Sequence, residues 1–166
     1  MNSHQRLTEI HLIKAREKAL RLFACTSSVI PGEWSSVWNE MIVPDLLEFA
    51  FHARKVNEFC KLMNSTFPSI DVKLVTITSG DPGMWESNYI HALNAVMHMQ
   101  GFSIGQAHAD HRKIFINYEA NLITTYIKVS TDKFPEEKTI SIYGLVECFL
   151  FYVIPKVKDK NPNLRF

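Results

Sequence analysis

Residues 113–130, KIFINYEANLITTYIKVS, decide the fold. Lys113–Tyr118 and Leu122–Ser130 read as two strands, with Ala120-Asn121 as the turn between them. In the second, Ile123, Thr125, Ile127 and Val129 fall on one face at period two, and β-branched residues favour a pleated surface. If this segment is helical instead, the whole chain becomes an all-α bundle. Two strands here predict an α+β fold with about four helices and a small antiparallel sheet.

Working outward, Val72–Thr78 (VKLVTIT) is a third strand by the same β-branched criterion. Ser79-Gly80-Asp81-Pro82-Gly83 follows as a turn. A helix over 84–100 carries Trp85, Tyr89, Ala92, Val96 and Met99 as an apolar stripe, with Gly101 as its stop. Asp81 with Pro82 behind it reads as that helix's N-cap. A strand-to-helix turn can also hold an anion, but Asp81 has the wrong charge for that and no glycine-rich phosphate motif is present. Residues 102–112 show no period and read as loop.

Toward the N-terminus, Leu7, Ile10, Ile13, Leu20 and Phe23 predict a helix over 5–24. Leu46, Phe49, Ala53, Val56, Cys60 and Met63 predict another over 45–64, with Arg54 and Glu58 able to pair at i,i+4. A shorter helix precedes it from Ser35 or Ser36, and Pro44 either kinks that helix or opens the next. Toward the C-terminus, a helix over 140–153 can be capped by Thr139 or Ser141. The expected organisation is one globular domain over residues 1–154, then a frayed basic tail over 155–166 containing Lys156, Lys158 and Lys160.

The chain has 166 residues, 18 Lys+Arg against 17 Asp+Glu, and 46% hydrophobic residues, which is globular rather than disordered composition. The charges divide evenly between the two halves, so neither half is a basic arm or an acidic tail. Cys25, Cys60 and Cys148 are widely spaced, odd in number and without a CxxC, which predicts reduced thiols in a cytoplasmic protein. His4, Arg6, Glu9 and His11 interrupt any secretory leader. The most apolar run, Tyr143–Pro155, contains Glu147 and is too short to span a membrane, so no membrane partner is expected.

The densest polar cluster is His108-Ala-Asp110-His111-Arg112. Two imidazoles, a carboxylate and a guanidinium can do acid–base work on an anionic substrate, which makes His108, Asp110, His111 and Arg112 the catalytic candidates. His91, His98, His108 and His111 are the candidate ligands of a divalent transition metal. His91 and His98 share a helix face but lie about 10 Å apart along the axis, so they need His108 or His111 to complete a site. Ser87, His91, Asn94 and His98 otherwise form a solvent-facing polar stripe. No standard metal-ligand spacing is matched.

Two features concern macromolecular partners. His11, Lys14, Lys18 and Arg21 form a basic stripe that can touch nucleic-acid phosphates, with Glu9 and Glu17 beside it. Phe149, Phe151 and Tyr152 crowd one short helix beyond what a single buried stripe needs, which suggests a homodimer contact.

Arg6-Leu-Thr-Glu-Ile-His11 is an arginine and a histidine separated by four residues. It resembles the short motif of the HEPN family of helical domains, many of them metal-independent ribonucleases or toxin components. The resemblance implies RNA cleavage near a dimer cleft, with the arginine and histidine at the reacting phosphate. It covers six residues. The motif opens the first helix here, whereas in that family it sits late in an all-helical bundle.

The reading carried forward is a cytoplasmic binding or interaction protein of bacterial or mobile-element character. Homo-oligomerisation and a protein or small-molecule partner are expected. A metal-dependent enzyme built on the His/Asp loop and a HEPN-like ribonuclease are the alternatives.

Overall fold

The computed structural model describes residues 3–71, 83–109, 121–133 and 136–165. They form an α+β fold of four helices and a mixed five-stranded sheet. In chain order the elements are α1 (Ser3–Thr26), β1 (Ile30–Pro31), α2 (Ser35–Phe59), β2 (Met84–Trp85), α3 (Tyr89–Met97), β3 (Met99–His108), β4 (Asn121–Thr131), β5 (Lys138–Ser141), α4 (Ile142–Cys148) and α5 (Ile154–Lys160). A π turn at Phe149–Val153 joins α4 to α5 in one continuous helical rod.

β4 is the hub of the sheet. Along one edge it pairs antiparallel with β3, from Met99↔Thr131 to His108↔Leu122. Along the other it takes β1 at Ile30↔Leu122 and then β5 at Tyr126↔Ser141 through Val129↔Lys138. β2 adds to β5 in parallel. Of the four residues expected on one face, Thr125, Ile127 and Val129 are buried and Ile123 is half-buried, while Thr124 and Tyr126 between them are buried as well, so both faces of β4 are covered there. The strand expected over 72–78, the turn residues 79–82, the strand expected over 113–118 and Ala120 lie outside the described residues. Asn121, expected in a turn, is the first residue of β4 and pairs with Pro31.

β3 occupies the stretch that lacks a sequence period. Its pairing with β4 shifts twice: Gln100 is an extra residue on β3 between Met99 and Gly101, which breaks the alternation of its faces, and Thr125 is an extra residue on β4 opposite Gly105–Gln106. At Gly105 the Tyr126 ring lies directly on the backbone, and a Cβ there would collide with it. Trp85 meets the same ring edge-on, with centroids 5.7 Å apart.

α1 and α2 form an antiparallel hairpin, because His11 meets His52 while Lys18 meets Asp45. Leu12, Ala15, Ala19 and Leu22 on α1 and Leu46, Phe49, Ala50 and Ala53 on α2 are almost fully buried. The rod of α4 and α5 closes the core, with Phe149 packed edge-to-face on Phe49 at 5.4 Å. Gly144 passes so close to the Ile70 carbonyl that no side chain fits there.

Several boundaries differ from the sequence reading, each for a local reason. α2 is one helix from Ser35 and runs through Pro44, whose exposed position leaves the orphaned Glu40 carbonyl to water. It ends at Phe59 rather than near residue 64. Lys61 adopts φ +53°, Lys61 N–H donates to the Glu58 carbonyl and Leu62 N–H donates to the Asn57 carbonyl. This is a Schellman stop built on lysine instead of glycine. α3 starts at Tyr89 because Asn88 Oδ1 accepts the His91 N–H, while Met84–Trp85 is drawn into the sheet. Gly101 lies within β3 and stops no helix. Ser141 caps α4 by accepting the Gly144 N–H.

Residues 155–165 are helical or tied down rather than frayed. Val157 is fully buried, Gln5 donates to the Asn163 carbonyl, and Arg165 N–H donates to Glu9. No helix among the described residues is long and apolar enough to cross a membrane. Cys60 and Cys148 are buried and Cys25 half-buried, all as free thiols. Burial, with Glu147 beside it, pushes the Cys148 thiol up to about 12.

Candidate functional site

The polar stripe of α3 does face a cavity. His91, Asn94 and His98 line a cleft of about 620 Å³, with Arg54 of α2 on one wall. Thr131, Asp132 and Lys133 at the end of β4 and Lys138 at the start of β5 close the other side. Asn88 fixes the start of α3, and burial of Tyr89, Ala92, Leu93 and Val96 turns His91 and His98 outward.

The cleft is rich in hydrogen-bond donors. Arg54 Nε is held by Glu58 at 3.0 Å, the i,i+4 pair foreseen from the sequence. This leaves the outer guanidinium nitrogens toward the cleft, where Nη1 stands 3.4 Å from His98 Nε2. Lys138 Nζ pairs with Glu86 at 2.8 Å. Lys133 is exposed and has no carboxylate partner among the described residues. Asn94 Oδ1 is buried without a hydrogen-bond partner. Such an arrangement can hold an acidic group by charge-assisted hydrogen bonds.

The other expected site residues separate. His108 is exposed at the far end of β3 from His98, and a ten-residue strand spans about 30 Å. His108 therefore cannot share one ion with His91 and His98. Asp110, His111 and Arg112 lie outside the described residues. Among the described residues no group of three or more His, Cys, Asp and Glu side chains can hold a metal.

The basic stripe of α1 is partly consumed by structure. Lys18 is buried between Asp45 at 2.8 Å and Glu48 at 3.0 Å, and these hydrogen bonds, Asp45's first, raise its pKa. Arg21 completes the cluster on Asp45 at 3.0 Å. Arg6 and His11, five residues apart, lie about 140° apart around the α1 axis. Arg6 is exposed, whereas His11 turns toward α2 and meets His52, Phe51 and Phe59.

Sequence reasoning found the α3 stripe but not Arg54, Lys133 or Lys138 as its companions. They come from three other elements, and no local spacing joins them. No family model, no curated protein and no solved structure matches the chain.

Proposed function

We propose that this chain is a binding protein for a small acidic ligand, one carrying a carboxylate or phosphate group, held in the cleft between α2, α3 and the β4–β5 connection. The observation that carries the reading is the convergence of Arg54, His91, His98, Lys133 and Lys138 from distant parts of the chain on one cleft. Its volume falls in the range that accommodates metabolite-sized ligands. Glu58 and Glu86 already offset part of the charge of Arg54 and Lys138, so the affinity rests on Lys133, the outer nitrogens of Arg54 and the imidazoles. The three free cysteines support a reducing, cytoplasmic setting for this role.

The test is thermal unfolding of the whole chain with inorganic pyrophosphate, a nucleoside monophosphate and citrate as probes. At least one probe is expected to raise the melting temperature saturably. Free ligand at a hundredfold excess over Kd corresponds to roughly 2.7 kcal/mol. The shift should vanish in Arg54→Ala and in Lys133→Ala. No shift with any probe, or a shift untouched by both substitutions, would remove the reading.

A further inference from the structure

α1 is apolar on two opposite sides. Leu12, Ala15, Ala19 and Leu22 face the core, whereas Ile10, Ile13 and Leu20 stand about half exposed on the opposite side. The outer set follows a strict alternation of four and three residues: Arg6, Ile10, Ile13, Glu17, Leu20, Ala24. That spacing is the a/d seam of a helix that packs lengthwise against another helix. Nothing among the described residues covers it. A helix apolar on both sides is either central in a fold or part of an assembly contact.

We propose that the outer face of α1 is a homodimer seam, in which α1 packs antiparallel on α1 of a second copy about a two-fold axis between residues 11 and 12. The charges within the stripe select this occupant and this direction. A parallel pairing sets Arg6 against Arg6 and Glu17 against Glu17, which is repulsive. The antiparallel pairing sets Arg6 against the partner's Glu17, Ile10 against the partner's Ile13, and the same two contacts again in reverse, while Leu20 reaches only the start of the partner's α1 and Ala24 lies beyond it, so the four isoleucines form the apolar centre. An interface on a two-fold axis must be self-complementary in this way, residue i meeting j while j meets i. Glu17 already holds Lys14 at 3.2 Å, but that pair is exposed on both sides and one carboxylate oxygen remains for Arg6. None of the residues lining the acidic-ligand cleft lies on α1, so the dimer leaves the cleft open and the two proposals stand or fall separately.

The test is sedimentation velocity of the whole chain across the micromolar range. The wild type is expected to dimerise, and Ile13→Lys to be monomeric. Arg6→Glu and Glu17→Arg should each weaken the dimer about tenfold or more, because the symmetry counts each change twice. The double variant Arg6→Glu/Glu17→Arg should recover most of the affinity. All these positions are exposed, and circular dichroism of each variant checks that the fold is retained. A wild-type monomer throughout the range would give the seam to a different partner and overturn the proposal. So would a dimer indifferent to Ile13→Lys. A double variant as weak as the worse single variant would overturn the antiparallel pairing.

Discussion

His11 on α1 and His52 on α2 direct their Nδ1 atoms at each other across 2.8 Å, so one ring donates its Nδ1–H and the other accepts it. Burial lowers the pKa of both rings. Lys55 adds to the effect at His11, and the charge on His11 adds to it at His52, where Lys14 and Lys18 act in the same direction and Glu48 opposes. The folded protein therefore binds fewer protons at these sites than the unfolded chain, whose histidines titrate near pH 6.5. Stability should fall as pH drops through about 6.5 toward the lower folded values. Urea unfolding at stepped pH is the measurement. The double variant His11→Gln/His52→Gln should lose stability less steeply over that window, and equal slopes would show that the pair does not couple to folding.

Pro44 sits well inside α2 and leaves the helix one hydrogen bond short. Pro44→Ala restores the N–H in an exposed position. It should stabilise the protein by about 1–2 kcal/mol after allowing for the freer unfolded chain, read as a higher denaturation midpoint. A loss of stability would mean that the rigid φ of proline matters more here than the missing bond.

Lys61 holds a left-handed conformation at the end of α2. Lys61→Gly relieves that strain and should add roughly 0.5–1 kcal/mol, whereas Lys61→Val should subtract stability. The backbone carbonyl of residue 61, which accepts from Lys160, is unchanged in both.

Lys18 and Asp45 form a buried ion pair, with side chains about one-tenth exposed on either side. Removing one partner strands the other. Lys18→Ala should cost about 2–3 kcal/mol, toward the lower end for buried pairs because Arg21 still reaches Asp45. A matched apolar replacement, Lys18→Met/Asp45→Leu, should recover much of the loss in thermal unfolding. If the double variant is no better than the single, the pair itself holds α1 to α2.

The helical hairpin and β4 were legible as elements, from three-and-four spacing in the one and β-branched content in the other. In α1 the spacing revealed the helix but not its buried face, since Leu7, Ile10, Ile13 and Leu20 are exposed while Leu12, Ala15, Ala19 and Leu22 are buried. In β4 Ile127 and Val129 are buried at period two, but Thr124 and Tyr126 between and beside the expected positions are buried as well. β3 was not legible, because the extra residue Gln100 and the side-chain-free Gly101 and Gly105 interrupt the alternation that identifies a strand. The end of α2 was hidden by a lysine doing what glycine usually does. Met84 and Trp85 carry helix-compatible side chains, and only their pairing with Lys138 and Thr139 makes them strand. For the site, the phase of His91, Asn94 and His98 could be read from spacing alone. That His98 would meet Arg54 and not His108 depends on how α3 seats against α2, a tertiary outcome with no local signature.

The central place of β4 sets an order of events during synthesis. α1 and α2 can zip together as soon as both have left the ribosome, since each finds its partner nearby in sequence. Ile30 has no strand to join until Leu122 has been made, and β3 gains its only partner among the described residues at the same moment. For most of translation, then, the growing chain is a helical hairpin with β1 unpaired, whereas β3 waits only from residue 109 until β4 is made. The sheet forms late, once β4 joins β1 to the C-terminal half of the chain, and until then the helical hairpin has no sheet to pack against.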